Sequence, residues 1–545
     1  MLSQVVNGAE YWLPENEGDV ITLVNQAKDQ QKIICLRGAA HSFPLIGTLE
    51  DESQRDKNLY VMLSKMHDVK INTDHNTVWV QAGCHLGLDP WDPTGISSDK
   101  NSLLYQLDQV GLAIPDLGGI THQTVGGFLS TGSSGGSTQY SFDEALLSID
   151  IICCGENGAE KVTFTRPVPD NPNDPFYGAG VATMGLMGVI VSATFQCTPR
   201  FYIMGQEATT TVDNCEIDLF GDGDATRPSL QQFFQQQQTQ VNPTLSQTPY
   251  SRLIWWPQEN VTKMVVWKAA QTTQEGANAW AAQAYAKKGQ NQHPDLKPYE
   301  EVPYLFGTPT LALLGADLLF TAIGQWPTWL ENLIGKEETE KVAAFINPLF
   351  YPAIFPKLLD IFAAVDTPTN ANKGPQQFAD VWYTGLPMDN QMSDKLMPVK
   401  FTELWIPIEQ TKAVMNDLLQ FYNEGPDNTM GFSCEIYAAK KSSFWLSPSY
   451  NTHVIRIDVF WFANTTGEPT AFYQKFWTLL AKYNFRPHWG KYLPDGAGAQ
   501  GVSYLQNCYK DHWNDWMALR EKMDPHQVFV NDYWRSHLGI APISQ

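Results

Sequence analysis

The chain has 545 residues, of which 43% are hydrophobic, 12% aromatic and 17% charged, a balance that excludes extended disorder and collagen-like repeats. Its length calls for about two to four folding units, because single cores stop growing near about 250–300 residues. Acidic residues exceed basic ones by 58 to 36, a net charge of −22, and a surface so charged repels phosphate backbones, so nucleic acid is not an expected partner.

The N-terminal twenty residues carry neither a basic region nor an apolar core, which reads as a cytoplasmic chain without a signal peptide. Residues 18–32 have the period of an amphipathic helix and run into a short apolar strand, Ile33–Arg37, that stops at Gly38. Further strands are expected at Leu59–Leu63, Val69–Ile71 and Val78–Ala82, then a helix near Ser102–Val110 and a glycine-dense stretch from Gly118 to Gly136. Strand patterns resume at 146–154, 160–164 and 188–197. Strands with interleaved helices define an α+β class.

Near residue 220 the composition changes to Gln- and Ala-rich segments, where a second unit is expected. Residues 251–269, 311–334 and 345–359 together read as a large aromatic and aliphatic insertion, by default core and alternatively the wall of a hydrophobic substrate cavity. The most apolar window, Leu311–Ile334, is interrupted by Asp317, Gly324, Gln325, Pro327 and Glu331, so it is too broken for a spanning helix. It reads as a buried helix pair, in preference to a lid or a membrane-contacting patch. The eight cysteines show no C-x-x-C pair and no His/Cys spacing for a metal. The sequence carries no reading of oligomeric state.

Two loops carry the chemistry. After the strand Ile33–Arg37 comes Gly38-Ala39-Ala40-His41-Ser42, whose small residues let backbone N–H groups approach an anionic ligand such as a diphosphate. The segment Gly118–Ser137 combines glycines and hydroxyls with apolar Ile120, Val125, Phe128 and Leu129, the pattern of a packed turn and helix start rather than a linker. No G-x-G-x-x-G opens a helix after a strand, which argues against a nicotinamide site.

Together these loops, with VWVQAGCHLG at 78–87 and MGLMGVIVSATF at 184–195, resemble the vanillyl-alcohol-oxidase and p-cresol-methylhydroxylase superfamily of FAD enzymes. Cys434-Glu435-Ile436-Tyr437, the tetrapeptide His488-Trp489-Gly490-Lys491 and the tail Met523–Asn531 are similar to its sugar-lactone and alditol oxidase branch. The aromatic middle of the chain resembles the covalent-FAD sterol oxidases of the same superfamily.

The resemblance implies a two-subdomain FAD-binding domain over 1–200, a substrate domain over 201–485 built on an antiparallel sheet with a helical insertion at about 270–370, and a segment 486–545 returning to the FAD domain. It implies FAD bound covalently through His41 alone, since Ile120 stands where some relatives have a second, cysteinyl link. Cofactor contacts carried over are Arg37, Gly38, Ala39, Ala40, Ser42, Gly119, Thr124, Gly126, Gly127, Thr131, Gly132, Gly188, Val189, Ile190, His488 and Asn531. Glu435 corresponds to the branch's active-site glutamate and Lys491 to its active-site lysine.

Where that branch has Glu-x-Arg this chain has Glu435-Ile436-Tyr437, so Tyr437 or Arg456 is the candidate for the missing oxygen-binding group. The implied activity is oxidation of a CH–OH group of a small alcohol of polyol, sugar or lactone type to a carbonyl by hydride transfer to flavin N5. Oxygen is the implied second substrate, giving hydrogen peroxide. The alternatives are a sterol or other hydrophobic alcohol, a quinone or cytochrome as electron acceptor, and a flavin-free binding protein whose 18 Trp stack on sugars or lipids.

Overall fold

The computed structural model describes residues 1–42, 44–235, 248–258, 261–287, 296–299, 333, 365–366, 375–390, 399–429, 433–462, 469–494 and 501–543. The apolar segments 311–334, apart from Leu333, and 345–359 and most of the expected insertion after 287 lie outside them.

A four-stranded sheet begins with the antiparallel hairpin β1 (Leu2–Val6) and β2 (Ala9–Leu13), followed by β3 (Ile33–Leu36) and β4 (Asn58–Val61), in the order β1-β2-β4-β3. The hairpin at the start was not anticipated from sequence. The helix Glu17–Asp29 crosses between β2 and β3. It is capped by the Asn16 side chain, which accepts from Asp19 N, and it buries Val20, Leu23, Val24 and Ala27, the i, i+3, i+4, i+7 stripe of an amphipathic helix.

A second, antiparallel sheet contains β5 (Val69–Asn72), β6 (Thr77–Gln81), β8 (Leu146–Gly155), β9 (Gly158–Thr165) and β10 (Val189–Gln196), in the order β5-β6-β10-β8-β9. The short β7 (Leu112–Ala113) pairs with β11 (Thr198–Pro199). Each of these strands except β7 and β11 falls within a residue or two of its sequence expectation. Helix Glu17–Asp29 packs on the second sheet too, so Ile152, Cys154, Val189 and Val191 share one core with Val20, Val24, Ile34 and Val61.

The third sheet has eight strands: β12 (Tyr202–Thr211), β13 (Tyr250–Trp256), β14 (Lys263–Thr272), β15 (Gln376–Val381), β16 (Val399–Pro407), β17 (Cys434–Ala439), β18 (Val454–Phe462) and β19 (Arg486–Pro487). Their order is β15-β12-β14-β13-β17-β18-β16-β19, antiparallel throughout. Residues 251–269 are therefore not an insertion: they supply interior strands, and their continuous aromatic and aliphatic run is that of strands buried on both faces. One face packs Leu253, Trp255, Cys434, Ile436, Ile455, Ile457, Leu404 and Ile406 against the helices Thr411–Asn423 and Pro469–Leu480. The alternate residues face the other way, toward the first two sheets.

The end of the chain returns to the beginning. The amide of Ile34 donates to the Val528 carbonyl over 2.8 Å, while Val528 and Phe529 join the core under the first helix. Asp524 holds this tail, accepting from the amides of Val528 and Phe529 at 2.9 Å each. Among the described residues no helix is long and apolar enough to cross a membrane.

Gly188 shows how tightly β10 meets β8. Its φ is +136°, and a Cβ there would lie 2.4 Å from the Ile152 carbonyl oxygen. Gly188→Ala should cost roughly 2–3 kcal/mol, visible in urea unfolding as a lower midpoint at unchanged slope.

Candidate active site

A cavity of about 850 Å³ runs between the loop that follows β3, the glycine-dense segment and the inner face of the third sheet, within the size range of ligand and cofactor sites. Its first wall is the loop Arg37–Ser42. Arg37 is fixed by an ion pair with Glu50, which also accepts from Tyr11 Oη at 2.6 Å. Ala40 adopts φ +62°, which turns the chain so that His41 enters the cavity. Gly38 lies so close to Thr124 that a Cβ would sit 2.7 Å from its Oγ1.

Thr124 caps the next wall, the helix Val125–Thr131, accepting from Gly127 N at 3.2 Å. Beyond the helix, the turn 133–136 is shaped by the buried Asp116, whose Oδ2 accepts from Gly135 N, Ser134 Oγ and Phe142 N. Burial pushes the Asp116 carboxyl up to about 7.

The third wall is a row of charged side chains on β16, β17 and β18. Alternation places Glu435 and Tyr437 on the cavity face of β17, Arg456 and Asp458 on that of β18, and Glu403 on that of β16. Registry sets Glu435, Asp458 and Glu403 side by side across three strands, and Tyr437 beside Arg456. Tyr437 Oη lies 2.9 Å from Glu435 and 3.2 Å from Asp389.

Arg456 pairs with Glu403 through Nη2 at 2.6 Å and Nε at 2.7 Å. Its Nη1 donates to the carbonyls of Ser134 and Gly135 at 3.0 and 3.1 Å. The guanidinium lies 4.7 Å from the Trp405 ring and 4.8 Å from that of Tyr437. Its donors are thus committed to protein groups.

The expected Glu-x-Arg fork has a counterpart that sequence reading missed. Arg252 of β13 sits opposite Tyr437 in the sheet, with Nη1 3.9 Å from Glu435 Oε1, paired to Asp389, and Nη2 3.2 Å from Glu207. Burial first, and then Asp389, push Glu435 up to about 8 in spite of Arg252. Burial raises Glu403 too, but Arg456, with His488 and Lys491, reverses the balance and holds it below the usual carboxylate range.

His488 and Lys491 close the site. His488 Nδ1 accepts from Gly490 N at 3.0 Å, which leaves Nε2 as donor toward Ser133 Oγ at 3.2 Å. Burial lowers its pKa to about 4, so the ring is neutral. Lys491 Nζ stands 4.0 Å from the Phe401 ring and 3.4 Å from the His41 carbonyl.

His41 itself is kept neutral, lowered to about 3 by burial first and Lys491 second, and its Nε2 is buried without a hydrogen-bond partner among the described residues. A neutral, unpartnered ring nitrogen facing a cavity fits covalent attachment of a flavin, and the small residues around it fit the close approach of a diphosphate.

Of the residues anticipated, Arg37, Gly38, Ala39, Ala40, His41, Ser42, Gly119, Thr124, Gly126, Gly127, Thr131, Ile190, His488, Glu435, Tyr437, Arg456 and Lys491 line this one cavity. Four do not. Gly132 ends its helix at φ +68°, Gly188 and Val189 pack between strands, and Asn531 caps the helix Asp532–Leu538, accepting from Trp534 N, while Trp534 reaches the cavity. Glu403, Asp458, Asp389 and Arg252 were missed. For Glu403 and Asp458 the signal was present as charges at alternating positions within apolar strands such as VIRIDVFWF.

Comparison with known proteins agrees with this architecture. The chain superimposes on cholesterol oxidase from B. sterolicum with a TM-score of 0.68 at 15% identity, covering 97% of this chain and 94% of that one. It superimposes on a grass pollen allergen with glucose dehydrogenase activity with a TM-score of 0.55 at 13% identity, over 96% and 89%. The chain is an FAD-dependent oxidoreductase with a two-domain FAD-binding oxidase fold. Residues 327–537 match the family described as ALO, D-arabinono-1,4-lactone oxidase. The chain is 20% identical to L-gulonolactone oxidase of Scyliorhinus torazame, over 96% of this chain and 93% of that protein. It is 21% identical to D-arabinono-1,4-lactone oxidase of Eremothecium gossypii, over 98% and 94%.

Removing the Arg456 guanidinium leaves Glu403 as an unpaired buried charge. Arg456→Met should cost about 3–5 kcal/mol, and Arg456→Lys should recover only part of it, because an ammonium cannot reproduce the fork; chemical denaturation measures both.

Proposed function

We propose that the chain oxidises a CH–OH group of a hydroxyl-rich substrate of the sugar-lactone type to a carbonyl, with oxygen as electron acceptor and hydrogen peroxide as product. The observation that carries this reading is the buried row of Glu435, Tyr437, Asp458 and Glu403 on the cavity wall opposite the His41 loop. FAD, when bound, supplies the two-electron acceptor. His41 is the residue proposed to hold it covalently, and Arg37, Ser42, Thr124 and the amides of the two loops are proposed to hold its polar parts.

The remaining work falls to the chain. Glu435 takes the hydroxyl proton at a carboxylate oxygen, and Tyr437, bonded to Glu435, orients that carboxyl group. Phe401, Phe460, Trp489 and Trp534 line the cavity and exclude water from the reacting carbon. Lys491 places a positive charge where electron density accumulates. The sterol alternative drew on residues 251–269, 311–334 and 345–359; the first supply strands of the third sheet and not an insertion, and the other two, Leu333 apart, lie outside the described residues.

The test is peroxide formation under air with a sugar lactone, xylitol and cholesterol. Turnover of the oxygen-rich substrates supports the proposal, whereas turnover of cholesterol alone, or reduction of a quinone without peroxide, removes it. Since the base acts ionised and Glu435 is pushed up to about 8, kcat/KM should rise with pH through that value. Glu435→Gln should lower kcat by about 10²-fold or more and flatten the rise. His41→Ala should release the yellow colour into the supernatant on acid precipitation, while the wild-type colour stays in the pellet.

A further inference from the structure

The carboxyl groups of the sheet wall are unequally served. Glu403 has Arg456 and the Trp405 indole, whose Nε1 donates at 2.7 Å, and Glu435 has the Tyr437 hydroxyl. Asp458, between them in the register, is 4% exposed, lines the cavity, and its Oδ1 is buried with no hydrogen-bond partner among the described residues. An ionised carboxylate in that position is costly, because its neighbours on both sides are also carboxyl groups. A neutral acid costs far less, and it has a hydrogen to give.

We propose that Asp458 is a substrate-binding residue that presents a protonated carboxyl group to an oxygen of the substrate. Glu435 accepts from the hydroxyl being oxidised, and Asp458, one strand away, donates to a neighbouring hydroxyl, ring or carbonyl oxygen. The pair therefore selects molecules that carry a second oxygen beside the reacting one. A sterol, with a lone hydroxyl, satisfies Glu435 and leaves Asp458 unserved. This inference rests on the oxidase reading above and names the substrate feature that its site recognises.

The charged and titratable groups facing Asp458 are consistent with the neutral form. Glu435 and Tyr437 face it from β17, Glu403 from β16 and Arg456 from its own strand, with Lys491 across the cavity. Burial first, then Glu403 and Glu435, raise its pKa well above the ordinary value, and Arg456 and Lys491 only partly oppose them.

The experiment compares Asp458→Asn, which keeps shape and donor capacity without charge, with Asp458→Val, which keeps neither polar atom. Each is assayed for KM and kcat on a sugar lactone, and for binding of a non-oxidisable lactone analogue by tryptophan fluorescence. Wild-type turnover of the lactone tests the oxidase reading by itself. With that activity in hand, Asp458→Asn should keep KM and analogue affinity within about twofold, and Asp458→Val should weaken both by tenfold or more.

Infrared spectra should show a protonated carboxylic acid in the wild type that is lost in Asp458→Asn, a readout that needs no turnover. In the wild type KM should rise at alkaline pH as the donor is lost, and Asp458→Asn should remove that limb. Equal damage from both substitutions, no change in KM from either, or no protonated-acid band would overturn the assignment.

Discussion

Arg456 joins the two halves of the site. Its guanidinium neutralises Glu403, bonds the carbonyls of Ser134 and Gly135, and is held between the Trp405 and Tyr437 rings. One side chain of the third sheet thereby fixes the turn after the helix Val125–Thr131, a wall the cofactor is proposed to occupy, and Tyr437, which orients Glu435. A charge buried this deeply is tolerated because most of its donors have partners.

The third sheet works as a divider. Its outward residues, Leu253, Ile436, Ile457 and Leu404 among them, sit in an apolar core beneath two amphipathic helices. Its inward residues at alternating positions carry Glu435, Asp458 and Glu403. The apolar face provides the stability that the crowded carboxyl face lacks, and strand pairing keeps those carboxyl groups in fixed order. Held in low dielectric beside one another, they take different proton affinities: Glu403 below the ordinary range, Glu435 and Asp458 above it.

Much of this was legible in the sequence. Local signals located the helix at 17–29 and strands β3 to β6 and β8 to β10, because periodicity and glycine breaks are short-range features. The loop with His41 and the segment from Gly118 were recognisable by composition, and the HWGK tetrapeptide by resemblance. Arg252 was not legible as a site residue. It stands in an aromatic run that reads as an insertion, and only the pairing of β13 with β17 brings it to Glu435. Asp389 likewise meets the site through a contact far along the chain, its amide donating to the Gly119 carbonyl at 2.8 Å. The terminal hairpin was missed because its two short strands carry little alternation to read.

The bond from Ile34 to Val528 has a bearing on how the molecule is made. β3 is the edge of the first sheet, and an uncovered edge is a template for pairing with another chain. Here the cover comes from a residue far downstream of the strand, so during synthesis that edge waits until Val528 has emerged. The loop with His41 hangs from the same strand. Assembly of the cavity wall that carries His41 is therefore tied to synthesis through Val528, and a nascent protein stalled before it presents a sticky strand in place of a finished pocket.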